Sequence, residues 1–277
     1  RDVPVVQYVA PTVWAWRSGR VKTIRRHVRR LLVTLPFEPE VYAGSGVDAV
    51  YVGNPAADRI PADPPAKAEV ADRLGADADV PWVGLVPGSR EAEIGRMGPL
   101  LAAAGMRVRE ACPSAELVVP LAPGVEAATV ADALEDAPAV RVVSEKRLEA
   151  LSACQAAIAT SGTVSLELAL LGVPHAVAYR TSTVEWAIAR ALVHVDHVAL
   201  PNLIAGRTVV PEYLQSAATP EALAAPVVTW LAEPEARAAV VAELAAVQEA
   251  VGPSGTAGRA ATAALEALLP GETDPTG

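Results

Sequence analysis

The chain is short of aromatic residues, short of cysteine and empty of long apolar runs, and each shortage excludes something. Aromatics make up 4% of the 277 residues against 52% hydrophobic overall, so Ala and Val carry most of the apolar content. Such a composition builds helices packed on short Val-rich strands. The two cysteines, Cys112 and Cys154, lie far apart without paired spacing. That excludes a disulfide framework and a Cys-based zinc site, and it points to a reducing compartment. No stretch approaches the roughly 18 uninterrupted apolar residues of a membrane-spanning helix. Charged residues, at 20%, are as frequent as in ordinary folded chains.

What is there is unevenly spread. The net charge is -9, yet residues 1–60 hold nine Lys/Arg against five Asp/Glu and the remainder holds 14 against 27. Seven cations (Arg17, Arg20, Lys22, Arg25, Arg26, Arg29 and Arg30) fall within fourteen residues, interleaved with Val21, Ile24 and Val28. A nucleic-acid binder is usually basic over a whole domain, so this local excess argues against one. It reads either as a solvated helix face or as an interfacial helix drawn to anionic headgroups or a phosphorylated lipid. The opening Arg1-Asp2 leads straight into a strand-like segment without a secretory leader. A start without Met is read as a start partway through a longer protein.

Hydrophobic patterning gives the organisation. Val5–Val9, Leu31–Leu35 and Val50–Val52 read as strands, with a helix over roughly Val13–Arg30 and a turn at Gly53-Asn54-Pro55. The Pro-rich piece Pro61–Pro65 reads as a linker. After it come strands Val83–Val86, Leu117–Val119, Val140–Val143, Ala156–Ala159 and His175–Ala178. Helices alternate with them over Arg90–Cys112, Val125–Glu135, Lys146–Ser152 and Thr163–Leu171, the last closed by Gly172. From about Thr183 the chain reads as mostly helical, and Glu272–Gly277 as a disordered tail. Alternation at this spacing predicts βαβ units, a parallel sheet covered on both faces, and a ligand site beyond the carboxyl ends of the strands.

Two loops at those ends carry suggestive chemistry. In Pro87-Gly88-Ser89-Arg90, Gly88 permits a tight turn, Ser89 can cap the next helix, and exposed amides with the Arg90 fork suit a phosphate. In Ser161-Gly162-Thr163, Ser161 is an N-cap candidate and Gly162 leaves room for a pyrophosphate. Glu167, one to two turns into that helix, can accept the vicinal hydroxyls of a ribose. Each loop alone could be an ordinary capped turn, and Glu167 a surface ion pair. Together they indicate a nucleotide. Asp77-Ala78-Asp79 reads as a chance match to a metal pattern, and His194 with His197 shows no third ligand. Trp14 and Trp16 read as packing residues, with an acyl-chain groove as the alternative.

A set of segments in fixed order then resembles the lipid-A-disaccharide synthases. The set comprises Tyr8 to Arg17 with its Trp14-Ala15-Trp16 core, Leu35-Pro36-Phe37-Glu38, Gly53-Asn54-Pro55, Pro87–Arg90, Ser161–Thr163 with Glu167, and Tyr179-Arg180. It continues through Leu200–Arg207 and ends at Val210-Pro211-Glu212 with Gln215. The other UDP-sugar enzymes of similar build, the peptidoglycan N-acetylglucosamine transferase and UDP-N-acetylglucosamine 2-epimerase, account for neither Trp14-Ala15-Trp16 nor the Asn202–Gln215 stretch.

The resemblance implies an α/β, GT-B-like fold, with a Rossmann-type parallel-sheet domain over 61–270 and the second half of another Rossmann-like lobe over 1–60. Residues 271–277 are the tail. It implies an inverting glycosyltransferase moving 2,3-diacylglucosamine from UDP onto 2,3-diacylglucosamine 1-phosphate, with no cofactor and no metal. Gly88, Ser89 and Arg90 would hold the diphosphate; Ser161, Gly162 and Thr163 would lie along the nucleotide, with Glu167 on the ribose. Asn202, Glu212 and Gln215 would line the donor side. Arg17, Arg20, Arg25, Arg26 and Arg29 would meet the acceptor or an anionic membrane surface on the inner face of the inner membrane. Exchanged C-terminal contacts would allow a homodimer. The family's Gly-rich first loop and acidic base precede the segment matched at Tyr8, so the reading is a chain that binds UDP and does not turn over alone.

Overall fold

A computed structural model describes residues 3–13, 19–134, 140–182, 186 and 196–268. The chain divides into two units. Tail residues 271–277 lie outside the described residues.

The first unit takes in residues up to Arg59 and the chain from Glu249 onward. Its strands β1 (Val6–Tyr8), β2 (Arg30–Val33) and β3 (Ala49–Tyr51) form a parallel sheet in sequence order. Helices α1 (Arg20–His27), α2 (Glu38–Val41) and α3 (Pro55–Arg59) alternate with them. The side chains of β2 point alternately to the two faces, as a strand requires. Leu31 and Val33 pack with Ile24 and Tyr42, while Leu32 packs with Ala263 of a C-terminal helix, Thr256–Leu268.

That helix corrects the expected domain over 61–270: it belongs with the first unit. Ala260, Ala263 and Ala264 give it a small-residue face that lies close to the sheet. The Asp58 carboxylate accepts the Gly255 and Thr256 amides at 2.6 and 3.1 Å, capping its start. Those amides hold the carboxyl below its usual range. Arg30 donates to the Ala263 carbonyl and pairs with Asp48 and Glu266. None of these partners is near in sequence, so no local pattern announces them.

The expected helix over Val13–Arg30 is likewise shorter. Helix α1 stops at His27, and the Arg29 amide donates to Val5 in the β1–β2 ladder. Arg29 and Arg30 therefore leave the helix, and Arg30 opens β2.

The second unit, Ile60–Ser182 and His197–Gln248, opens with α4 (Lys67–Leu74). There follow β4 (Trp82–Val86), α5 (Glu91–Ala111), β5 (Glu116–Pro120), α6 (Ala127–Ala133) and β6 (Val140–Val143). Next come α7 (Arg147–Ser152), β7 (Ala156–Thr160), α8 (Thr163–Leu170), β8 (His175–Tyr179) and α9 (Leu200–Ala205). Strand β9 (Glu212–Leu214), α10 (Pro220–Ala232) and α11 (Pro234–Val251) complete the order, and the C-terminal helix already described is α12.

All pairs in the six-stranded sheet are parallel, in the order β6-β5-β4-β7-β8-β9. Both faces are covered. Val83, Leu85 and Ile158 pack with α5 and α10, and Trp82, Val86, Ala157 and Ala159 pack with α4, α7 and α8. The strand order reverses between β4 and β7, which is where an open sheet of this kind binds ligands. At the opposite end of the strands, His175 is fully buried with Nδ1 2.8 Å from the Val173 carbonyl and Nε2 unpartnered. Burial pushes its pKa down to about 4. Among the described residues no helix is long and apolar enough to cross a membrane.

Candidate functional site

Val86 and Ala159 are register partners at the ends of β4 and β7, so the two loops expected to hold a nucleotide start side by side. Helices α5 and α8 then run back over opposite faces of the sheet. Two diverging helix starts on adjacent strands leave an opening between them that backbone amides can line.

In the β4 loop, Pro87 is buried while Ser89 and Arg90 are exposed. The helix cap is Arg90, in an extended conformation and without a side-chain capping bond, so Ser89 is not the cap expected of it. The Ser89 amide donates instead to Glu93 at 3.0 Å. Glu93 stands at the third helical position, where a carboxylate reaches back over the first turn. The pattern Ser89-Arg90-Glu91-Ala92-Glu93 carries that signal in the sequence itself. Gly88 has φ +122°, and a Cβ there would lie 2.2 Å from the Glu93 carboxylate, so the turn excludes a side chain. An anion at this loop would meet the exposed Arg90 and would compete with Glu93 for the Ser89 amide.

The β7 loop is held differently. Gly162, not Ser161, caps α8, and the Ser161 hydroxyl donates to the Val198 carbonyl at 3.0 Å. Gly162 has φ +157°, and nothing lies within 4 Å of where a Cβ would stand, so the approach above the first turn is open. Thr163, the first residue of α8, is exposed. The Ser165 hydroxyl donates to the Gly162 carbonyl at 2.8 Å. Glu167 is neither a surface ion pair nor free: its side chain is 3% exposed and accepts from the Arg147 guanidinium at 2.7 Å. Sequence reading missed Arg147, which follows the edge strand β6, separated from β7 by β5 and β4, and reaches α8 only through the fold.

Asn202 and Glu212 take a different place from the one expected. Asn202 is fully buried; its Oδ1 accepts the Val209 and Val210 amides at 2.7 and 2.9 Å. Its Nδ2 donates to the Val210 carbonyl and to Glu212 at 2.8 and 2.5 Å. Both heads of the amide are committed, which leaves no donor for a ligand. The Glu212 carboxylate accepts the Val198 and Ala199 amides at 2.8 and 3.2 Å and lies 3.5 Å from His197 Nδ1. The pair therefore holds the 198–210 segment, and through Val198 the Ser161 loop, in place. Gln215 has φ +51° and accepts the Thr181 amide through Oε1 at 3.2 Å, while Arg180 donates to its carbonyl and to that of Ala218. Its Nε2 stays uncommitted among the described residues.

Of the basic residues, Arg20, Lys22, Arg25, Arg26 and Arg29 are exposed, whereas Arg30 is tied down in the ion pairs given above. Lys22, Arg25 and Arg26 border an open cavity of about 430 Å³ with Val21 and Ser45. Arg17, Trp14, Trp16 and His194 lie outside the described residues. Asp77 accepts the Asp79 amide at 2.8 Å, the bond of a local turn.

A protein-family model described as lipid-A-disaccharide synthetase matches residues 2–264. The lipid-A-disaccharide synthase of Syntrophus aciditrophicus is 40% identical over 266 residues, covering 95% of this chain and 69% of that protein. That of Anaeromyxobacter dehalogenans is 43% identical over the same shares, and that of Myxococcus xanthus 40% identical over 97% of this chain and 70% of its own.

Among solved structures, a spinosyn rhamnosyltransferase complexed with thymidine diphosphate superposes with TM-score 0.57 at 18% identity, over 96% of this chain and 68% of that one. A sucrose-phosphate synthase from Thermosynechococcus elongatus gives 0.52 at 16%, over 90% of this chain; the chain spans 61% of that structure. These two likenesses concern the fold, which is α/β with parallel sheets of the GT-B glycosyltransferase type. With the family model spanning nearly the whole chain and the relatives near 40% identity, the chain belongs to the lipid-A-disaccharide synthase family of glycosyltransferases.

Proposed function

We propose that the carboxyl ends of β4 and β7 hold the uridine diphosphate of a UDP-diacylglucosamine donor. In this reading Arg90 and the amides of Gly88 and Ser89 take the diphosphate, and Ser161, Gly162 and Thr163 lie along the nucleotide. Glu167 takes the ribose hydroxyls, and Gln215 offers its Nε2 on the donor side. Asn202 and Glu212 act by holding the segment that Ser161 leans on. The observation that carries the reading is the start of two amide-lined loops on neighbouring strands where the strand order reverses.

Inverting transfer of diacylglucosamine to the 6-hydroxyl of diacylglucosamine 1-phosphate requires charge stabilisation on the departing UDP and a general base for the acceptor hydroxyl. The residues named here serve the first task. Calorimetric titration of the chain with UDP tests the assignment: saturable heat supports it, and no heat at millimolar UDP overturns it.

The reading extends to a peripheral membrane surface. A glycolipid acceptor resides in a bilayer, and the exposed cations Arg20, Arg25, Arg26 and Arg29 would be drawn to anionic headgroups. Flotation with anionic vesicles measures this. Reversing charge at Arg25, Arg26 and Arg29 should leave the protein at the bottom of the gradient, and unchanged flotation would return these residues to a solvated face.

A further inference from the structure

Arg147 has the geometry of a partner chosen for orientation. Its side chain is 16% exposed and that of Glu167 3%, and they meet at 2.7 Å. Burying two charges costs desolvation that their attraction roughly cancels, so a pair of apolar residues would serve stability as well or better. The placement is also specific. Lys146, just before Arg147, takes the left-handed conformation at φ +50°. That turn starts α7 at Arg147, and α7 packs on the same face of the sheet as α8. The guanidinium meets one carboxylate oxygen, Oε2. A carboxylate so gripped has one oxygen anchored before a ligand arrives, and pre-set geometry helps a carboxylate take two vicinal hydroxyls at once.

We infer that Arg147 is a positioning residue for recognition of the donor's ribose, acting through Glu167. The inference rests on the reading of Glu167 as the ribose acceptor. Arg147 needs no contact with substrate: it holds the carboxylate, and the carboxylate selects a ribonucleotide over its deoxy counterpart.

The test compares UDP with 2′-deoxyuridine diphosphate by calorimetry on the full chain, as wild type, Glu167→Gln, Arg147→Met and Arg147→Lys. Wild type should prefer UDP by about tenfold or more, the worth of a hydrogen bond to a charged group. Glu167→Gln should narrow that preference. Arg147→Met, which keeps length and removes the charge, should weaken UDP toward the deoxy value and leave the deoxy affinity unchanged. Arg147→Lys should recover part of the preference.

Equal loss for both nucleotides in Arg147→Met would overturn the inference by making Arg147 a direct contact. A full preference retained in Arg147→Met, with Glu167→Gln defective, would overturn it alone and leave the ribose reading standing. No preference in wild type would remove the ribose reading and this inference with it. Should Arg147→Met not fold, Arg147→Gln, which also lacks the charge, decides: a preference as large as that of wild type, with matching melting temperature, overturns the proposal.

Discussion

The two loops at the reversal point of the larger sheet are built on opposite plans. The β4 loop is exposed at Ser89 and Arg90 and is braced by one local carboxylate, Glu93, four residues away. The β7 loop is fastened by bonds that span the sequence: Ser161 to Val198, Val198 to Glu212, and Glu167 to Arg147. One loop presents donors that a ligand can claim, and the other presents a surface that is already set. If the two loops hold the diphosphate as proposed, the site divides its work between adaptable charge and fixed shape. Substitutions at the fastenings Asn202, Ser161 and Glu212 should therefore appear as stability, and those in the open loop as affinity.

The largest effect should come from Asn202→Leu. It removes an amide bonded to the Val209 and Val210 amides, the Val210 carbonyl and Glu212, all in a buried setting. We expect a loss of about 4 kcal/mol in urea unfolding, since the orphaned partners cost more than the bonds themselves. Ser89→Ala in the open loop should stay within about 0.5 kcal/mol, because only the Ser89 amide is used. Similar values for the two variants would break the comparison.

The amino end of the neighbouring strand β8 gives the next effect, through pH. His175 is neutral in the fold because burial holds its pKa at about 4 against an ordinary 6.5. Its folded value is depressed, so the native state binds the proton more weakly than the unfolded chain. The contribution is complete above pH 6.5, falls away as pH drops toward 4, and levels off below that. The loss amounts to about 3 kcal/mol. His175→Leu should flatten this segment of the stability-against-pH curve, and a slope identical to wild type would remove His175 as its source.

Arg90→Ala sharpens the contrast from the other side. The side chain is exposed, so the urea midpoint should not move. UDP affinity should fall about tenfold to a hundredfold, as for loss of a charged hydrogen-bond donor. The preference for UDP over the deoxy nucleotide should remain, because the proposed reading gives the phosphate to Arg90 and the sugar to Glu167. A lost preference would mean that the two loops do not divide the nucleotide between them.

How much of this was legible follows the same division. The parallel strands announced themselves through Val-rich runs such as Val83–Val86 and Leu117–Val119, because burial on both faces leaves a period-free apolar run. The loops at Pro87 and Ser161 were legible because Gly-Ser turns after strands have a local cause. The caps were misplaced by one residue, since Ser161 bonds to Val198, which no local pattern shows. Strand β9 was missed because Glu212-Tyr213-Leu214 is three residues long and opens on a charge. Helix α12 was assigned to the wrong unit because its cap, Asp58, lies some two hundred residues upstream. Arg147 was missed for the same reason: long-range pairing is a property of topology.

The smallest effect separates fastening from filling. Ser161→Ala removes the hydroxyl that donates to Val198 and leaves the two amide bonds of Glu212 to Val198 and Ala199 intact. The segment should therefore hold, at a cost of about 1 kcal/mol. Glu212→Gln weakens the same segment from its other side, so the pair should not add: with one fastening gone, the other bears all of it. A double variant that costs more than the two single ones together shows that Ser161 and Glu212 hold one element from two sides. Strict additivity would show two unrelated bonds, and the β7 loop would then be no more pre-set than its neighbour.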